Sequence, residues 1–263
     1  MRPRPSAVLL AAAAALWSAA AFAADPQAAG PVQPHRALYE VSLAGSSAVV
    51  QNARGLAATE VQRTCEGWRY VQRYELEIQP VGGETGHTVF QMQGRESLDG
   101  RTYAFNSTTD YGEGDPVTLI GQAESGPDGG EVRYTEPAAY ERPLPADVAF
   151  AIGSVARQIR AAQAGETQTR QNWFVGAVPD EPLLISSVIL PAKPDPAADG
   201  LLAGDRWTFV SGFYADPAEP APLYEGEETL VETGVLAGAV YRYDGYALRL
   251  KLQRVEPLPL PDC

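Results

Sequence analysis

The side chains best able to do chemistry are few in this 263-residue chain: two cysteines, Cys65 and Cys263, two histidines, His35 and His87, and two lysines, Lys193 and Lys251. Two thiols in an oxidising compartment form a disulfide most simply, and this one would tie the last residue to the first third of the chain. His35 sits at the edge of a Pro/Ala-rich stretch and His87 in a Gly/Thr-rich turn, so both read as surface histidines and neither as the centre of a triad or metal site. Lys193 lies in a proline loop and Lys251 on the polar side of a strand, which leaves no Ser-Lys pair. Glu225, Glu227 and Glu228 could offer oxygen ligands to calcium, but without the alternating Asp/Asn loop they read as a solvated strand edge.

Motifs with a mechanism are missing: there is no G-x-S-x-G elbow, Walker loop, dinucleotide fingerprint, H-E-x-x-H or C-x-x-C. The expectation is no catalytic residues, no cofactor and no metal. A cell-wall hydrolase remains a minor alternative, because the spacing of a carboxylate pair is a property of the fold.

What must position these residues is an exported β-protein. Arg2 and Arg4 precede an apolar run from Val8 to Ala21, and Ala21-Phe22-Ala23 supplies a small-x-small pattern, so residues 1–23 read as a signal peptide cleaved after Ala23. Residues 24–34, rich in Pro, Ala and Gln, read as a flexible leader, and 35–263 as one domain. Removing the signal leaves 18 basic against 33 acidic residues, a net charge of about −15 that disfavours nucleic acid as a partner. No later segment is apolar enough to span a membrane as a helix, and a monomer is expected.

The dominant period is two. In Trp68–Gln79, Trp68, Tyr70, Tyr74, Leu76 and Ile78 share one face, interrupted by Gln72, while Arg69, Arg73, Glu75 and Glu77 occupy the other. Tyr246, Leu248, Leu250 and Leu252 alternate with Arg249, Lys251 and Gln253, and Trp207, Phe209 and Phe213 repeat the pattern. Shorter candidate strands fall at 37–44, 48–63, 87–97, 101–109, 117–123, 131–135, 171–178, 183–190, 224–232 and 235–243. Strands this regular predict an all-β sandwich or barrel. One segment breaks the period: 147–164 carries Val148, Ile152, Val155 and Ile159 at helical spacing, with Asp147 as N-cap and Gly165 as C-cap. Gly153 at its midpoint weakens it, and the helix is expected to plug or cover an open sheet.

The order of short motifs carries a resemblance. Ala37-Leu38-Tyr39-Glu40-Val41-Ser42-Leu43, Ala53-Arg54-Gly55, Cys65-Glu66-Gly67-Trp68 and Arg95-Glu96-Ser97-Leu98-Asp99-Gly100 are followed by Pro222-Leu223-Tyr224-Glu225, Glu232-Thr233-Gly234-Val235 and Leu258-Pro259-Leu260-Pro261-Asp262-Cys263. Together they resemble the cell-envelope integrity protein EipB family of alphaproteobacteria over nearly all of 35–263. The resemblance implies a periplasmic protein whose antiparallel strands wind into an overlapping open barrel, a β-spiral, with one central helix and a disulfide between Cys65 and Cys263. It also implies a non-enzymatic part in envelope integrity, with a tetratricopeptide-repeat protein as a functional partner of at least one relative. One departure falls ahead of the helix: the family pattern runs from Leu-Pro into Phe-Pro-Thr-x-His, whereas this chain has Leu144-Pro145 and then Phe150-Ala151-Ile152-Gly153-Ser154.

Two roles follow. The preferred one is a periplasmic binding or scaffold module that offers a concave face or a strand edge to an envelope protein. The alternative is a carrier of a lipid or other amphiphile, in which Trp68, Tyr70, Trp207 and Phe209 line a cavity instead of filling a core.

Overall fold

The computed structural model describes residues 31–178 and 182–263, so the expected signal peptide and residues 24–30 of the leader lie outside the described residues. Fourteen strands form one antiparallel sheet: β1 (His35–Leu43), β2 (Val50–Arg63), β3 (Gly67–Pro80), β4 (Gly86–Ser97), β5 (Thr102–Asp110), β6 (Val117–Glu124), β7 (Gly130–Glu136), β8 (Tyr140–Leu144), β9 (Gln168–Trp173), β10 (Leu183–Pro191), β11 (Arg206–Tyr214), β12 (Tyr224–Val231), β13 (Leu236–Tyr243) and β14 (Tyr246–Pro257). Their order is 8-7-6-5-4-3-2-1-14-13-12-11-10-9. The chain therefore starts in the middle of the sheet and meanders out to β8. One helix, α1 (Ala151–Gln163), carries it to the opposite edge at β9, and a second meander returns to pair β14 with β1.

Period-two patterning sets the inner face. Register places Tyr39 opposite Ala57 and Ala57 opposite Tyr74, with Phe90 next in line, so one lateral row is apolar across four strands. The outer face carries ion pairs such as Arg36 with Glu60, Arg54 with Glu77 and Arg242 with Glu227, all exposed enough to add little stability.

The sheet overlaps itself without closing. Beyond β9 the chain crosses the inner face of the first meander: Ser107 Oγ donates to the Gly176 carbonyl at 2.6 Å, and Phe174 meets Phe105 edge-on at 5.4 Å. Gly176 has φ of +73°, and a Cβ there would stand 2.2 Å from Phe105, so only glycine permits this close approach. Phe150 and Phe174, both fully buried, join Tyr103, Phe105 and Tyr134 in the core of the overlap. The result is an open spiral of β-strands with a single α-helix among the described residues.

The last three residues of the expected leader are held in place, because Val32 is buried beside Val61 and Trp68, the Gln33 amide donates to the Thr233 carbonyl at 2.8 Å, and Pro34 accepts from the Leu258 amide. Strand β8 was not expected, since Glu141, Arg142 and Pro143 hide its period. β9 ends at Trp173 and not at 178, because the following apolar residues leave the sheet for the overlap.

The helix also starts later than expected, at Ala151, with Phe150 at the N-cap position and no side chain of its own capping it. Asp147 is no cap: its φ is +53° and its carbonyl accepts from Arg157. Gly165, with φ of +79°, does follow the helix end as expected.

Cys65 and Cys263 form a disulfide, with Cα atoms 5.8 Å apart across 198 residues of sequence. The bond ties the β2–β3 turn to the tail that leaves β14.

Candidate ligand-binding cavity

Helix α1 floors the barrel at one end. Ile152 and Ala156 pack on Val61 and Trp68 of the first meander, while Ala161 and Ala162 pack on Ile189, Phe209 and Leu230 of the second. Its N-terminus is held from afar: Glu96 on β4 accepts from the Ile152 amide through Oε2 and from the Gly153 amide through Oε1, both at 2.8 Å. An acceptor carboxylate there satisfies two orphan amides and faces the positive end of the helix dipole. Gly153 leaves room for it, because a Cβ would sit 2.9 Å from Glu96 Oε1. Burial raises the Glu96 pKa to about 7, against the two amide bonds and the nearby Arg157 that lower it.

Above this floor lies a cavity of about 470 Å³, walled by both meanders and reached by Ser154, Val155 and Gln158 of α1. Its wall is mostly apolar: Val41, Leu76, Phe90, Ile185, Phe213, Leu248 and Leu250 all contribute. Tyr111 and Val178 line it too and are more than 40% exposed, which marks the opening to solvent. Tyr74, Tyr224 and Tyr243 also line it. Burial raises the Tyr74 and Tyr243 pKa values to about 12, with Tyr111 adding to the first and Tyr246 and Tyr74 to the second, so these phenols share one rim.

Among the described residues one carboxylate, Glu228, lines the cavity. On β12 the alternation sets Tyr224, Gly226, Glu228 and Leu230 inside and Glu225 and Glu227 outside. Tyr241 of β13 donates to Glu228 Oε1 at 2.5 Å. Burial raises the Glu228 pKa, with the Tyr241 hydrogen bond opposing, and the Glu228 charge contributes to raising Tyr70 across the cavity.

Of the four aromatic residues expected to line a cavity, the structure brings one to it. Tyr70 is in the wall. Trp68 is buried against α1 with Arg63 over its ring at 5.2 Å, Phe209 is fully buried under α1, and Trp207 packs beside it, so these three make the solid base. The surface reading of the histidines holds for exposed His87 and fails for His35, which is 3% exposed, bonded through Nδ1 to the Gln33 carbonyl and pushed down in pKa by burial. The solvated-edge reading of Glu225 and Glu227 fits, whereas Glu228 departs from it. Sequence reasoning passed over Glu96 and read Glu228 as solvated, although the spacing of Tyr224, Gly226, Glu228 and Leu230 carries the signal of a shared inner face. Among the described residues no group of three or more His, Cys, Asp or Glu is placed to hold a metal ion.

The EipB-like family model matches residues 26–259. The chain belongs to the EipB-like family. It is similar to a solved structure, the beta-barrel-like protein of a domain of unknown function, DUF1849, from Brucella abortus: the two share 19% identity and a TM-score of 0.78 over 88% of this chain and 100% of that one. At that identity the likeness speaks for the fold. No curated protein sequence matches the chain. As an EipB-like protein it is a periplasmic envelope protein with a binding or scaffold role, and no described helix is long and apolar enough to cross a membrane.

Proposed function

We propose that this EipB-like protein serves the envelope by binding an amphiphile inside its barrel. The observation that carries this reading is the cavity of about 470 Å³, floored by α1 and open past Tyr111 and Val178. Its size falls within the roughly 300–1,000 Å³ of small-molecule sites, and an apolar wall with a few polar groups is the composition such sites have. A solid core would have closed this space, as it does beneath α1.

Native mass spectrometry of protein taken from its own periplasm, with titration of the fluorescent probe N-phenyl-1-naphthylamine, tests the reading. A co-purifying amphiphile and saturable probe uptake are expected. Neither adduct nor uptake would overturn it.

The outer surface is assigned to a protein partner of the envelope, of the tetratricopeptide-repeat kind. Edge strand β8 is a poor place for strand addition, being five residues long with Glu141, Arg142 and Pro143 in it. Recovery of such a protein in a periplasmic pull-down is expected from the outer face, and an Arg242→Glu variant that changes only that face would test it. Export with cleavage after Ala23 completes the proposal, and the intact mass of the secreted chain checks it.

A further inference from the structure

The cavity is asymmetric in charge. Glu228 is the one carboxylate in its wall, and among the described residues no lysine or arginine lines it, which leaves an anionic head group without a counter-ion. Tyr241 satisfies Glu228 Oε1, and no second protein donor among the described residues is hydrogen-bonded to the other oxygen. Besides Tyr241, the titratable groups of the wall include Tyr70, whose phenol feels the Glu228 charge, and His35. Burial holds the Tyr70 phenol in its neutral form and disfavours charge on His35, so neither neutralises Glu228. Along β12 the pair sits between Tyr224, near the rim, and Leu230, which packs against α1, so a head group reaching Glu228 lies deep and its tail runs back toward Phe213, Tyr224, Leu248 and Leu250.

We propose that Glu228, held by Tyr241, anchors the head group of the bound amphiphile, and that the site selects a single-chain amphiphile whose polar end is a hydrogen-bond donor, an ammonium or hydroxyl group, over one with an anionic end. This rests on the cavity being the binding site. A buried acceptor oxygen discriminates because a donor satisfies it while a second anion leaves two like charges facing each other in a medium that screens them weakly.

Displacement of N-phenyl-1-naphthylamine from the mature, disulfide-bonded chain by dodecylamine, dodecanol and dodecanoate, each below its micellar concentration at neutral pH, tests it. Dodecylamine is expected to displace the probe at about tenfold lower concentration than dodecanoate, with dodecanol between them, tenfold being the scale of one charge-assisted hydrogen bond. Glu228→Gln should shrink the amine-to-carboxylate ratio to about threefold or less. Glu227→Gln changes net charge by the same amount on the outer face, where its partner is Arg242, and should leave the ratio unchanged, which separates the anchor from general attraction to an acidic protein. Dodecanoate bound as tightly as dodecylamine, or the same loss in Glu227→Gln as in Glu228→Gln, overturns the head-group assignment. Failure of the probe and all three amphiphiles to bind overturns the cavity reading instead.

Discussion

The two ends of the barrel are built from the same strands and behave as different materials. At the α1 end Trp68, Phe209, Leu230 and the helix interlock, Glu96 caps the helix, and the disulfide binds the β2–β3 turn to the tail after β14. At the other end Tyr74, Tyr111, Tyr224 and Tyr243 ring an opening, with Tyr111 57% exposed and Tyr243 stacked on Tyr246 at 5.1 Å. A close-packed base confers a fixed shape, and a rim of phenols can adjust around a guest because its contacts are partial. Rigidity and opening thereby fall to opposite ends.

Breaking the base should cost the most. Cys263→Ser opens a crosslink of 198 residues, for which the chain-entropy treatment gives a ceiling of about 5 kcal/mol. A large fall in denaturation midpoint with β-rich circular dichroism retained is expected, and an unchanged midpoint would count against the clasp. Phe209→Ala removes a fully buried ring beneath α1 and should destabilise by about 3–5 kcal/mol, read by urea titration, with hydrogen exchange rising in α1 before the rim.

A subtler break uses pH. Glu96 titrates at about 7 in the folded chain and near the ordinary carboxylate value of 4.5 when unfolded. Below the lower value both states hold the proton; between the two only the folded state does. The stability contributed by this group is therefore fully present below about pH 4.5 and lost as pH rises through about 7. Glu96→Gln should remove that part of the slope, so wild type loses ground relative to the variant across this window. Parallel stability curves for the two proteins would sink the assignment. The smallest effect belongs to the rim: Tyr243→Ala should shift stability by no more than about 1 kcal/mol while weakening probe uptake, and the reverse pattern would erase the contrast between the ends.

The legible parts were those governed by local periodicity. Alternation in Trp68–Gln79 marked a one-sided strand, and the apolar spacing of Ile152, Val155 and Ile159 marked the helix. Alternation says which face a side chain takes, not whether that face meets packing or empty space, so Tyr70 and Trp68 looked alike although one lines a cavity and the other a core. The helix start was misplaced for a related reason. Its acceptor, Glu96, is 56 residues upstream of Ile152 and arrives only once β4 is in the sheet, whereas Asp147 offered the familiar local signal. Gly153 looked like a weakness in a helix, and its purpose is visible only beside the carboxylate. The segment Phe150–Ser154, where this chain departs from the pattern it resembles, is where that cap operates, so the departure concerns how the floor is anchored.

The strand order has a consequence for how the chain reaches this state. Every pairing but one joins strands consecutive in sequence, and the exception, β1 with β14, unites partners such as Glu40 and Gln253 that are 213 residues apart. Two hairpin ladders can each grow from local contacts on a scale of about 1–10 μs per hairpin, whereas the seam between them waits on closing nearly the whole chain. The line along Tyr39 and Leu252 is thus the seam with the greatest loop-closure cost, lodged at the centre of the sheet and far from both of its edges.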